Sequence, residues 1–411
     1  DTTVSANIAG DMTISANNLG GVTGNAFTLT LAKAAHLTVG GTLYVGQTNI
    51  AGHTASGAID IYGGSTLTVA GETYLGFHQL AYPSGESVVT ASLKIGSDSS
   101  ALLGSTVHVA RGTNASGALA NYGNMTINSS LSAAFNNATA QVTLAGNTTV
   151  AGGLQFGWHN GGTLSATFSG NTTVGAASTI GGGTQMTAVT FASGTTRFNN
   201  ALEVGADTGS TAVTISSGTL SANSLTLTNG SGTLNFLVQG GTVSVTNDLD
   251  IFLGSASTNQ VNVSGGKLLV GGNMLSTYGT GMVSFTVGGM AEVSVSGSAY
   301  FGGVSNSSGL FSITGGRFDA GNIYMADGFA GAHATFSNTG GYLHSADEFV
   351  MGSAVNAVAV GTVSGIGSRL VADGNLTMGG GSGSSAVLTV SGGSGLQAGA
   401  LTVGGGTNSS A

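Results

Sequence analysis

The stretch SAVLTVSGGSGLQAGALTVGG (Ser385–Gly405) holds three short runs, Val387–Val390, a brief one at Leu396, and Ala400–Val403, separated by glycine-rich breaks. Runs of this length with period-two alternation read as strands and are too short for helices. Glycine at the breaks supplies the positive φ values that sharp corners need. Alternation turns Leu401 and Val403 to one side and Thr402 to the other, and it does the same for Leu376 and Met378 about Thr377, and for Phe349 and Met351 about Val350. A single unit of roughly 25 residues buries too little apolar surface to offset its ordering entropy, whereas copies above and below cover it on both sides. The stretch therefore predicts one coil of a parallel β-solenoid with three short strands per coil.

Outward from this coil the pattern repeats. A strand ending in a small residue closes at Gly157, Gly181, Gly205, Gly230, Gly254, Gly279, Gly302, Ala326, Gly352, Gly379 and Gly404, ten steps of 23 to 27 residues. Further upstream, Gly46 and Gly76 stand 30 apart, and the next anchors read as Gly112 and Asn136, which implies an insertion near 78–86 around Pro83. The expectation is one all-β solenoid over residues 1–411 of about sixteen coils, irregular over 1–136 and regular over 137–411.

Composition narrows the function classes. Of 411 residues 74 are Gly, one is Pro, none is Cys, and only 23 are charged, 7 basic and 16 acidic. A chain with 41% hydrophobic residues and so few charges is not disordered. Its apolar residues are dispersed, so no membrane-spanning helix is expected. The net charge of -9 and the scattered Lys and Arg exclude a nucleic-acid surface. Without cysteine there are no disulfides and no thiolate metal sites. The sequence opens at Asp1 without an initiator Met or a leader, which reads as a mature exported product. Sparse trypsin sites agree with an extracellular or cell-surface location.

The segments GIGSRLVADGNLTMGG (Gly365–Gly380), SGGSGLQAGALTVGG (Ser391–Gly405) and ITGGRFDAGNIYMADG (Ile313–Gly328) resemble the autotransporter and PEP-CTERM-associated repeat in its order GS-x-L-x-x-x-G-x-L-x-V-G. The resemblance extends over about residues 200 to 411. It implies a β-solenoid passenger secreted or displayed by a bacterium, and it brings no catalytic residues.

Candidate sites follow from the coil. Two residues before each anchor an outward stripe carries Tyr44, Tyr74, Phe252, Tyr300, Tyr324 and Val350, interleaved with Thr179, Thr228, Thr277, Thr377 and Thr402. Such a stripe either stabilises itself across coils or meets a glycan or a surface. The carboxylate pairs Asp248/Asp250 and Asp347/Glu348 are the ones a glycosidase reading would need. Asn322 and Asn375 occupy equivalent corner places, so the pairs read as a corner preference, and no enzyme is expected. His344, near Asp347 and Glu348, has donors suited to a metal but lacks a metal-binding spacing, and no cofactor or metal is expected. Trp158, the sole tryptophan, marks a corner.

An open solenoid leaves unpaired strand edges, and neither 1–18 nor 395–411 reads as a cap. The first expectation is a filament subunit assembled by head-to-tail pairing with copies of itself. The second is a monomeric surface passenger or adhesin, binding a glycan or a surface through the Tyr/Thr stripe.

Overall fold

The computed structural model describes residues 4–17, 25–48, 53–78, 87–157, 162–183, 186–253, 258–278, 282–302 and 308–411. All regular structure among them is strand, and every ladder is parallel. Among the described residues no helix is long and apolar enough to cross a membrane. The chain is a parallel β-solenoid. It divides into two compact units, Asp1–Leu202 with Gly209–Thr211, and Glu203–Thr208 with Ala212–Ala411.

Each coil has three strands. In the first unit one coil runs Thr54–Ile61, Thr66–Val69 and Thr73–His78, and each strand lies on its counterpart in the next coil: Thr54 on Val88, Thr66 on Ser100, Thr73 on Val107. The columns so formed are inward and apolar or outward and polar by turns. Ile59, Ile61, Leu67, Val69 and Leu75 are buried, and the same columns continue as Leu93, Ile95, Leu103 and Val109. Phe168 and Phe191 stack in the core with ring centroids 4.9 Å apart. Each fully buried side chain of this size contributes about 2–3 kcal/mol.

In the second unit the second and third strands often fuse into one, as in Glu292–Phe301, Arg317–Met325, Arg369–Met378 and Gly395–Val403. The ladders between them shift register at the shared corner, between Val295 and Ser298 and again between Ala372 and Asn375. Phe285, Phe301, Phe311 and Phe318 fill one stretch of core, with Phe301 and Phe311 stacked at 4.4 Å. Leu376, Met378, Phe349 and Met351 are buried as the alternation requires. Leu401 and Val403 hold the same columns on the outermost described layer and are 60% and 54% exposed.

The anchors have a backbone cause. Gly46, Gly76, Gly157, Gly181, Gly302, Gly352, Gly379 and Gly404 all have positive φ, and so does Ala326. At Gly46 a Cβ would also lie 2.6 Å from the Thr90 carbonyl oxygen, so the neighbouring strand closes the space.

Three readings of the sequence are corrected here. The upstream anchors are Ala110 and Ala134, two residues before Gly112 and Asn136: Val109 pairs with Leu75 and Arg111 with Phe77, which puts Ala110 on Gly76, at φ 59°. The coils are fewer than sixteen. Among the described residues the sheet of first strands has 15 members, and the early coils are longer; Thr54 meets Val88, 34 residues on. Val350 is not exposed; it is buried between Tyr324 and Thr377 in its column. The insertion expected near 78–86 lies, beyond His78, outside the described residues, as do Gly254, Gly279 and Trp158.

Candidate functional site

Parallel in-register pairing decides which stripe residues meet. In the first unit Tyr44 lies on Tyr74, rings stacked at 5.2 Å and 8°, and Tyr74 lies on His108 at 4.6 Å. Phe77 leans in at 4.7 Å and the Arg111 guanidinium sits 5.8 Å above the Tyr74 ring. The positive φ at Gly76 explains why both Tyr74 and Phe77 reach this patch: it breaks the alternation, so two outward residues stand three apart.

The Tyr74 hydroxyl donates to Glu72 Oε2 at 2.5 Å. Burial, reinforced by that bond to a carboxylate, pushes the phenol up to about 12. His108 is pushed the other way, down to about 4, first by burial and then by the Arg111 charge. The patch is thus a packed ladder in which Tyr74 is nearly inaccessible, at 8% exposure.

In the second unit Tyr300 stacks on Tyr324 at 4.8 Å and 13°, within the column Leu275, Tyr300, Tyr324, Val350, Thr377, Thr402. Both tyrosines are half-buried. Their faces are covered by the residues above and below, and what reaches solvent is the rim. Burial, and then the Glu348 charge, raise the Tyr324 phenol above its ordinary value. Phe252 is half-buried beside Thr228.

Of the carboxylate pairs, Asp248 takes a corner duty that asparagines take in other coils. Asp248, Asn273, Ser298, Asn322, Glu348 and Asn375 precede the same strand position in successive coils. Asp248 Oδ1 accepts the Asn273 amide N–H at 2.6 Å, Asn273 Oδ1 accepts that of Ser298 at 2.9 Å, and Asn322 Oδ1 accepts that of Glu348 at 3.0 Å. Asp248 and the asparagines thereby satisfy backbone donors where the coil turns. Asp250 stands apart, with its Oδ1 buried and without a hydrogen-bond partner; burial and then Asp248 raise its carboxyl above the ordinary value.

His344 does not turn to Asp347 and Glu348. Its Nδ1 lies 2.9 Å from Asp319 Oδ1 and its Nε2 3.1 Å from Asp373 Oδ2. The Arg317 guanidinium grips both oxygens of Asp319 and lies 4.9 Å over the Tyr342 ring. Lys267 Nζ pairs with Glu292 at 2.6 Å further along the same wall. A shallow groove lined by Glu292, Ser294, Arg317, Asp319 and His344 runs beside them. Among the described residues, no three His, Cys, Asp or Glu side chains gather closely enough to hold a metal ion.

Glu72, His108, Arg111, Asp319 and Asp373 were not singled out from the sequence. The signal was the coil period itself: Asp319 is 25 residues before His344 and pairs with it in register. No family model, curated protein or solved structure matches this chain.

Proposed function

We propose that this chain is an extracellular structural element of the surface-passenger kind, which carries a lateral contact surface for a glycan and performs no catalysis. The observation that supports this reading is the Tyr300–Tyr324 ladder. Its rings are outward, stacked on each other and outside the core layers, and they present rims to solvent. Beyond Val350, which interrupts the row, Thr377 and Thr402 carry hydroxyls in the same column, so the surface offers two pairs of hydrogen-bonding groups, the members of each pair one coil apart, about 4.8 Å. A hydroxyl-rich polysaccharide is the partner such a row suits. The double variant Tyr300→Phe/Tyr324→Phe removes only the two hydroxyls and keeps the stack. Binding of the purified chain to a panel of immobilised glycans should weaken at least tenfold in the variant; a glycan held equally well by both proteins, or no glycan held by the wild type, removes the reading.

A second reading, self-assembly by pairing of coil edges into a filament, has its own support. Strands Ser385–Ser391 and Gly395–Val403 carry no charged residue to discourage edge pairing, and they expose Leu396, Leu401 and Val403. A further coil laid on this edge would cover them, and in this reading a second copy supplies it. Electron microscopy of the purified chain tests this: growing fibres that are lost in Leu401→Lys support it, and uniform particles at all concentrations refute it.

A further inference from the structure

Three adjacent coils meet at one imidazole. His344, on strand Tyr342–Ser345, is flanked by Asp319 from the coil before and Asp373 from the coil after. Only 17% of its side chain is exposed. The groups that face it from the neighbouring strands are Arg317 and Asp319 on one side and Arg369 and Asp373 on the other; Tyr342 lies on its own strand, and Asp347 and Glu348 on the corner that follows.

A carboxylate only accepts hydrogen bonds. For both contacts to be hydrogen bonds, both ring nitrogens must therefore donate, which only the imidazolium can do. With one proton fewer, one nitrogen turns a lone pair towards carboxylate oxygens and that contact becomes repulsive. Asp319 is anchored in either case, because Arg317 grips both of its oxygens. Asp373, 54% exposed, has no such clamp among the described residues and is the side that yields. Arg317, Asp319, His344 and Asp373 thus form one chain, each in contact with another member.

We propose that Asp319, His344 and Asp373 form a proton-operated clasp: doubly protonated His344 ties three successive coils together, and loss of one proton releases the outer coil at its Asp373 corner. The sign is fixed by the geometry. The clasp closes when His344 holds both protons and opens when it loses one, so the local order of this corner falls as pH rises.

Hydrogen exchange of the full chain, corrected for the intrinsic effect of pH and followed by mass spectrometry on peptides spanning 342–345 and 369–378, reads this directly. Between about pH 5 and about pH 8, either side of the range in which imidazoles ordinarily titrate, protection at this corner should fall about three- to tenfold, the scale of one partly exposed charge-assisted hydrogen bond. Peptides of the Phe285–Phe318 core serve as the internal control. In His344→Gln, which can hold one carboxylate but cannot gain a second proton, the pH-dependent step should disappear. Asp373→Asn, at an exposed site that leaves the fold untouched, should remove it as well, because its amide can donate to a neutral imidazole. Equal protection at both pH values in the wild type, or a step that persists in either variant, overturns the proposal.

Discussion

Two anchor glycines of the second unit form a matched pair. Gly302 and Gly352 both have φ of +67°, and both end a third strand, after Phe301 and Met351. Their surroundings differ. A Cβ on Gly302 would be driven into the His333 carbonyl oxygen, inside any real contact distance, whereas on Gly352 the nearest atom is the Ser385 carbonyl oxygen at 3.4 Å, ordinary contact. Replacing either by alanine incurs the same left-handed penalty, about 1 kcal/mol; the chain itself places alanine at this position at Ala326, with φ of +53°. Gly302→Ala must in addition push the His333 peptide back, which weakens a ladder hydrogen bond and disturbs the packing beneath it, for about 1–3 kcal/mol more. We therefore expect Gly352→Ala to lose about 1 kcal/mol and Gly302→Ala about 2–4 kcal/mol. Urea unfolding followed by circular dichroism measures both, provided the slope with denaturant is unchanged so that midpoints compare directly. If the two variants lose the same amount, or if Gly352→Ala loses more, the anchors are constrained by conformation only, and the close approach of the next coil counts for nothing.

Further predictions concern buried polar groups and the unit-one ladder. Asn338 is fully buried, donates to the Arg369 carbonyl at 2.8 Å and accepts the Gly341 amide at 3.0 Å; Asn338→Val, although its column otherwise holds Val and Ile, should destabilise by about 2–3 kcal/mol by stranding both corner groups, measured by the same urea midpoints. His108, held down to about 4 against an ordinary 6.5, takes its proton first in the unfolded chain. Its contribution is complete above 6.5 and is lost as pH falls towards 4, so His108→Asn should flatten the acid side of the stability profile. Tyr74, raised from 10.0 to about 12, contributes below 10 and loses that contribution as pH rises towards 12; an alkaline absorbance titration should lose its latest step in Tyr74→Phe.

The fold was legible because most coils repeat one backbone requirement, a positive φ, at a near-constant interval, and glycine is the residue that advertises it; Gly205 and Gly230 keep the place without that φ. Where alanine takes that conformation the advertisement fails. Ala110 and Ala134 were passed over for Gly112 and Asn136, which also have positive φ but stand at the following turn. Inward and outward positions were legible from alternation, and the buried Phe349, Met351, Leu376 and Met378 follow it. Exposure was not, since it depends on neighbours in other coils: Val350 is outward but buried in its column between Tyr324 and Thr377. The site was harder still. Asp347 and Glu348 are close to His344 in sequence, but in a solenoid the nearest side chains are a whole coil away, which is why Asp319 and Asp373 hold the imidazole.

The in-register columns have a consequence for how such a chain changes with time. Because Thr242 lies on Lys267 and Lys267 on Glu292, each coil presents the next with nearly the surface it received. Excision of one complete period would set Thr242 against Glu292 and bring inward Val243 under inward Val293, with every later column aligned. Length is therefore a quantity that recombination between neighbouring repeats can raise or lower in whole units without asking the core to be redesigned, while a change of any other size has to be taken up at a corner, as in the 34-residue step from Thr54 to Val88, because inside a strand it moves the following side chains out of their columns.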